Sequence, residues 1–397
     1  MDLNQTPRAN RIHIGIFGSR NAGKSSLINA MTGQDLAVVS PVRGTTTDPV
    51  YKAMELLPMG PVVLIDTPGI DDEGDLGELR VQKTQQVLNK TDVAVLVVDA
   101  VAGKSPEDKE LLRQFEKRGI PHIVAYNQCD RLAELPQPGP NEIYVSATQN
   151  IRIYELKEKI AALSVTDTPN RPIVRDLLAP CDLVVLVTPI DSAAPKGRLI
   201  LPQQQTIRDI LDADAVAVVT KEFQLRDALE GLGKPPRMVI TDSQVFAKVS
   251  AEVLPHIPLT SFSILFARHK GILETAVRGA AVLDTLQDGD RVLIAEGCTH
   301  HRQCDDIGTV KLPRWIGKHT GKQIRFDFVS GGDFPQDLQP YRLVVHCGGC
   351  MLREREILYR RDSAAEQKIP MTNYGIAIAH MQGILKRCIS VFPEFAE

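Results

Sequence analysis

The strongest constraint on what this chain can fold into is "GSRNAGKS", residues 18–25, set between the apolar run "IHIGIF" and the helix-like "KSSLINAM". A glycine-rich turn that leaves a strand and opens a helix points backbone N–H groups inward, at the positive end of the helix dipole. The pattern Gly-x-x-x-x-Gly-Lys-Ser/Thr in that context predicts a phosphate cradle. It also predicts a strand–loop–helix unit in a parallel sheet. The flanking sequence agrees: "VVLID", "VAVLVVDA" and "HIVAYN" are short, β-branched, strand-like runs, and "SPEDKELLRQFEKRG" between them has helical spacing, with Ser105 as N-cap and Pro106 as first helical residue. Strands alternating with helices imply a sheet covered on both faces.

Four further segments specify the nucleotide. "DTPG", residues 66–69, ends a strand; Asp66 can reach Mg²⁺ through water and the Gly69 N–H can meet a γ-phosphate. "GTTTD", residues 44–48, lies where a switch loop belongs, with Thr46 the chosen Mg²⁺ ligand beside Ser25 and with Thr45 and Thr47 as competitors. In "NQCD", residues 127–130, Asn127 and Asp130 fit a guanine site: a carboxylate accepts both N1–H and N2–H of guanine, a donor pair adenine lacks. "SAT", residues 146–148, would close over O6 through a backbone N–H of the Ser146–Ala147 turn. With Gly18, Asn21, Ala22, Gly23, Lys24 and Ser26, these residues form the expected GTP site, in which Lys24, Asn21 and Gly69 carry the catalytic work.

Composition bounds the rest. A length of 397 residues suggests two or three domains. A net charge of −3 gives no reason to expect nucleic acid or an anionic membrane as partner. The polar start lacks a signal pattern, and no apolar run approaches the roughly 18 residues that would span a bilayer, so the expectation is a cytoplasmic chain. The fold expected is α/β throughout: an N-terminal P-loop domain with a parallel sheet flanked by helices, residues 1–168, then two smaller α/β domains, 169–266 and 267–397. The α/β rhythm of the three does not read as a sequence repeat.

The third segment holds clustered cysteines and histidines. "RVLIAEGCTHH" and "YRLVVHCGGC" each read as a strand entering a turn. Parallel strands ending on one edge would bring Cys298 near Cys347 and Cys350, with His300 and His346 beside them. Since "MLREREILYRR" is helical, the second cluster is expected at a helix N-terminus, where the dipole would lower thiol pKa values. Cys181 and Cys388 read as packed core residues. The donor set suits either a tetrahedral Cys₃His zinc or a 4Fe–4S cluster on three thiolates, and ligand chemistry alone does not separate them.

Two resemblances follow from these motifs. Residues 11–165 resemble the translation-factor-like GTPases of tRNA modification and ribosome assembly. They depart from that family at Gln128, where a lysine is usual, and at Ile70, where Ras-like proteins have a water-positioning glutamine, which implies slow turnover. In the related potassium-activated GTPases an asparagine at the position of Asn21 holds K⁺ beside the phosphates. The whole chain resembles the HydF family of FeFe-hydrogenase maturation GTPases, whose pattern is Cys-x-His followed by His-Cys-x-x-Cys; here 45 residues separate His300 from His346. That resemblance implies a 4Fe–4S scaffold with GTPase, dimerisation and cluster-binding domains. Cys298, Cys347 and Cys350 would be the cluster ligands, with His300 and His346 as weaker candidates for the fourth. It also implies a homodimer, a di-iron precursor as cargo, two radical-SAM maturases that build it, and apo FeFe-hydrogenase that receives it. The competing reading is an RNA-directed GTPase with a structural zinc, and a redox enzyme using the cluster for electron transfer ranks last. Against the first stands the absence of a basic stripe.

Overall fold

The computed structural model describes residues 10–33, 49–67, 83–164, 171–189, 199–297 and 306–395. Thr46, Gly69, Cys298 and His300 lie outside those residues. The chain divides into two compact units, Met1–Thr168 and Pro169–Glu397. Among the described residues no helix is long and apolar enough to cross a membrane.

The first unit is built on strands β1 (Ile12–Phe17), β2 (Val50–Leu56), β3 (Gly60–Asp66), β4 (Val93–Asp99), β5 (His122–Asn127) and β6 (Glu142–Tyr144). They lie in the order β2-β3-β1-β4-β5-β6, parallel except for β2, which pairs antiparallel with β3. The central strands are apolar along their whole length because both faces are covered. Along β4, Val93, Val95 and Val97 enter the core on one face, and Ala94, Leu96 and Val98 enter the core on the other. The Pro106–Lys117 helix starts as its sequence predicts: Ser105 Oγ accepts from the Asp108 N–H at 3.1 Å and Asp108 Oδ2 from the Ser105 N–H at 3.0 Å.

The second unit carries two all-parallel four-stranded sheets. The first comprises β7 (Leu183–Val187), β8 (Val216–Thr220), β9 (Met238–Thr241) and β10 (Leu259–Ser261), in the order β10-β9-β7-β8. The second comprises β11 (Arg291–Glu296), β12 (Arg325–Ser330), β13 (Leu343–His346) and β14 (Met371–Asn373), in the order β12-β11-β13-β14. One continuous apolar core runs from Ile173 to Phe392 and takes in both sheets.

Read from the opposite edge, the second order is the first: in each sheet the first strand in sequence lies inside, flanked by the second and third. The two halves are a duplication, which corrects the expectation that no repeat is present. Its signature is "IPLTSFSILFARHKGIL", residues 257–273, against "IPMTNYGIAIAHMQGIL", residues 369–385. Backbone bonds recur at matching places: Val239 N–H to Pro258 O and Val344 N–H to Pro370 O, both 2.9 Å, and Arg237 N–H to Leu183 O at 2.7 Å against Arg342 N–H to Arg291 O at 2.8 Å. Ser261 and Asn373 cap the equivalent helices Phe262–His269 and Tyr374–Met381. Contacts between the halves are reciprocal. A Cβ at Gly348 would meet Ser263 Oγ at 3.5 Å, and one at Gly375, the counterpart of Ser263, would meet Ser243 Oγ, on the counterpart of Gly348, at 2.9 Å. Such reciprocity is what an approximate twofold axis produces.

Candidate functional site

Residues 18–25 leave β1 and wrap into the Lys24–Thr32 helix. Gly18, at φ +138°, lies so close to β4 that a Cβ would stand 2.1 Å from the Val97 carbonyl; at Gly23, φ +85°, a Cβ would stand 2.3 Å from Asn127 Nδ2. Any side chain at either position would push the loop off the sheet. Lys24 is buried, and its ammonium donates to the carbonyls of Gly18 at 2.8 Å and Ser19 at 2.9 Å. Asn21, φ +64°, is exposed at the loop crest, and Ala22 is buried beneath it. Ser25 and Ser26 lie in the first helical turn, and Ser25 Oγ donates to Asp66 Oδ2 at 2.8 Å.

Asp66 ends β3 at 8% exposure, and its other oxygen, Oδ1, is buried without a hydrogen-bond partner. Burial raises its pKa, against the opposing effects of Ser25 and Lys24. A buried carboxylate oxygen left unsatisfied beside a serine hydroxyl matches the oxygen chemistry that Mg²⁺ requires.

The guanine loop is tied to the cradle directly. Asn127 Nδ2 donates to the Ala22 carbonyl at 3.0 Å, and Asn127 Oδ1 accepts from the Ala147 N–H at 3.0 Å. Gln128, in the place of the usual lysine, takes φ +62°; its Nε2 donates to the Asn21 carbonyl at 3.2 Å and its Oε1 accepts from Arg131 at 2.6 Å. Ser146 is buried, its Oγ accepting from the Gln149 N–H at 3.1 Å. Asp130 is exposed at the rim. The structure therefore brings Gly18, Asn21, Ala22, Gly23, Lys24, Ser25, Ser26 and Asp66 into one cradle, and joins Asn127, Ser146 and Ala147 to it.

In the second unit β11 and β13 pair in parallel with Ala295 opposite His346, so both carboxyl ends reach the same sheet edge. Cys347 Sγ accepts from the Gly297 N–H at 3.1 Å and from the Gly349 N–H at 3.4 Å. Gly297 immediately precedes Cys298, so the two expected ligand segments are stitched together at this sulfur. Both Cys347 and Cys350 are partly buried.

The thiols do not behave as the sequence suggests. The Glu354–Glu366 helix begins beyond Cys350, and burial outweighs its dipole: it pushes the Cys347 thiol up and Cys350, with Cys347 beside it, up to about 11. A cationic metal centre would compensate buried thiolates here, so the donor set fits one. His346, a sequence candidate for a ligand, is fully buried with both nitrogens engaged. Its Nδ1–H donates to the Cys347 carbonyl at 2.7 Å, and its Nε2 accepts from Arg360 at 2.9 Å. Arg360 also donates to Glu356 Oε1 at 2.7 Å. Burial, then the Arg360 charge, pushes the His346 pKa down to about 3, so the ring is a neutral spacer that positions Cys347. Cys388 is buried as expected, whereas Cys181 is exposed at φ +65°.

Sequence patterns did not flag Glu296 or Arg360. Glu296 is buried at the end of β11 and accepts from the Tyr374 hydroxyl at 3.2 Å. No local motif marks either residue; only the pairing of distant segments does.

A six-stranded sheet, a glycine cradle and a guanine loop bonded to it define a P-loop GTPase domain, followed here by a duplicated α/β unit with thiols at one strand edge. Residues 13–128 match the family of 50S ribosome-binding GTPases, 173–271 the hydrogen maturase F dimerization domain, and 274–391 the hydrogen maturase F tetramerization domain. The chain belongs to the hydrogen maturase F (HydF) family.

Among curated proteins, the tRNA modification GTPase MnmE of Herminiimonas arsenicoxydans is 34% identical over 145 residues, 34% of this chain and 31% of that protein. GTPase Der of Kosmotoga olearia is 31% identical over 179 residues, 40% of each chain. The chain thus spans well under half the length of these relatives. The crystal structure of Aquifex aeolicus Era bound to GDP and AlF₄⁻ aligns over 56% of this chain and 98% of that one, at 21% identity and a TM-score of 0.34.

Proposed function

We propose that this chain is a slow, potassium-activated GTPase and 4Fe–4S scaffold that assembles the di-iron subcluster of FeFe-hydrogenase and delivers it to the apo-enzyme. The observation that carries the reading is the convergence of Cys347, Cys350 and the segment leading into Cys298 on one sheet edge, in a HydF-family chain.

In this reading Lys24 balances charge on the β- and γ-phosphates, Ser25 and Thr46 ligate Mg²⁺, and Asp66 holds it through water by its unsatisfied Oδ1. The Gly69 N–H meets the γ-phosphate. Asn127 and Asp130 select guanine, and the Ser146–Ala147 turn closes the base pocket. Asn21 at the loop crest holds K⁺ where an external arginine would otherwise neutralise charge. With Ile70 after "DTPG", no side chain there orients water, so hydrolysis is slow and acts as a timer. Equal GTPase rates in KCl and NaCl would remove K⁺ from this scheme.

Cys298, Cys347 and Cys350 hold the cluster, which supplies an iron whose remaining coordination position exchanges ligands. N–H donors from Gly297 and Gly349 stabilise thiolate character at Cys347. His346 keeps the Cys347 carbonyl fixed. The chain acts as a homo-oligomer, with two radical-SAM maturases and the apo-hydrogenase as partners and the cytoplasm as its compartment. β8 supports self-association: it is an edge strand with Val216 and Val219 exposed, next to exposed Leu211 and Phe223.

The test is iron, zinc and acid-labile sulfide in anaerobically purified protein, wild type beside Cys347→Ala. About four iron and four sulfide per chain, sharply reduced in the variant, is the expected result. Zinc without sulfide would instead favour an RNA-directed GTPase with a structural metal.

A further inference from the structure

Asp284, His319 and His380 converge from three separate elements of the second half of the C-terminal unit. Asp284 lies in the 3₁₀ turn Ala281–Thr285, His319 in the last turn of the Leu312–Thr320 helix and His380 in the last turn of the Tyr374–Met381 helix. His319 Nε2 is 2.8 Å from Asp284 Oδ1, and His380 Nε2 is 2.9 Å from Asp284 Oδ2. One ligating atom from each residue lies within 4.8 Å of the other two. The rings stand at 64° with centroids 6.0 Å apart, so their edges converge on the carboxylate and do not stack.

We infer that this triad is a divalent transition-metal site, separate from the thiol site and built for an ion of borderline softness such as Zn²⁺. Two ligand atoms each about 2.0–2.1 Å from one tetrahedral ion stand about 3.4 Å apart, so the nitrogen–oxygen separations of 2.8 and 2.9 Å need open by only about half an ångström to admit it. Two imidazoles with one carboxylate is a donor set that such ions favour, with positions left open to water. Both histidines end helices, where the dipoles favour a cation. Their side chains are 25% and 21% exposed, held on the protein yet open to solvent on one side.

The duplication supplies an internal control. The counterpart of His380 is Arg268, and the counterpart of Asp284, at the same distance before its strand, is Asp176. There the pair is an ordinary ion pair, Arg268 Nη1 to Asp176 Oδ1 at 3.0 Å. An arginine joins the helix to the turn without metal. In the second half a histidine takes the arginine's place and a second histidine arrives from another helix, which exchanges a fixed cation for a pair of ligands.

That correspondence provides the test. His380→Arg installs the ion pair of the first half, so it keeps the packing while removing a ligand; His319→Gln removes the other. Co²⁺ is titrated into the full-length apo-protein, anaerobically, and followed by absorption and thermal unfolding. Thiolate-bound Co²⁺ gives intense sulfur-to-metal charge transfer, whereas a histidine–carboxylate site gives only weak d–d bands. The expected result is one Co²⁺ per chain without charge transfer, persisting in a Cys347→Ala/Cys350→Ala protein and displaced by Zn²⁺. Both histidine variants should lose it while still folding, and they should lose the rise in unfolding midpoint that the ion confers on wild type. Unchanged stoichiometry in His380→Arg, or binding confined to the charge-transfer phase, would overturn the site and leave the iron–sulfur reading untouched.

Discussion

Asp130 projects from a loop that Gln128 and Asn127 hold against the phosphate cradle, so its carboxylate is exposed on a fixed base. In the proposed guanine site its discrimination would rest on acceptor geometry. Asp130→Asn keeps an acceptor for N1–H but presents a donor where guanine has its N2 amine and xanthine has a carbonyl, so GTP affinity should fall by about 100-fold or more while XTP affinity rises, as nucleotide competition would read. An unchanged preference for GTP would show that another residue reads the base. This site was legible in the sequence because each part is contiguous: glycines, lysine and serine in eight residues, the guanine loop in four. Gln128 was legible only as a departure. Its actual role, a polar staple to the Asn21 carbonyl, depends on two loops meeting across more than a hundred residues. Asp284, His319 and His380 were not legible at all, since no spacing links three single residues on three elements.

The Glu354–Glu366 helix stabilises the strand end that carries the thiols. Arg360, 1% exposed, is its anchor, joining Glu356, His346 and the Gly331 carbonyl. Removing one charged member of a buried network is costly, because its partners lose their compensation. Arg360→Met removes the cation that the Glu356 carboxylate and His346 Nε2 share, a loss of about 3–5 kcal/mol. Denaturant unfolding of the apo-protein at neutral pH measures it. Adding Glu356→Gln to Arg360→Met should recover part of the loss, and a double variant as unstable as the sum of the singles would show that the two act independently. The sequence correctly marked a helix after Cys350. It misjudged what the helix does to the thiols, because a dipole effect is local and weak whereas burial by a whole sheet edge is not.

At the scale of the C-terminal unit, two halves share one core, which runs through both sheets, and the second sheet carries a further small apolar cluster on Leu293, Ala295 and Val344. Residues 169–271 expressed alone should therefore lack cooperative unfolding and fixed near-ultraviolet dichroism, whereas residues 169–397 should show both. A sharp transition in the shorter fragment would refute the shared core. The α/β alphabet of both halves was readable from their strand-like runs, but the duplication was not. The matching strands are offset by different numbers of residues along the chain, and the shared skeleton (Ile-Pro-x-Thr, then Ala-x-x-x-Gly-Ile-Leu) is short and made of residues common to many folds.

That duplication has a consequence for copy number. In one half β13 runs into Cys347 and Gly348; in the other β9 runs into Asp242 and Ser243, where Asp242 caps its own turn by accepting from the Gln244 N–H. An evenly used pair of modules would present two facing loops that compete for the same metal. Here one loop has sulfur and its mirror image has oxygen engaged with its own backbone. Whatever the sulfur edge binds is therefore loaded once per polypeptide, and an assembly of such chains would hold as many equivalents as it has subunits.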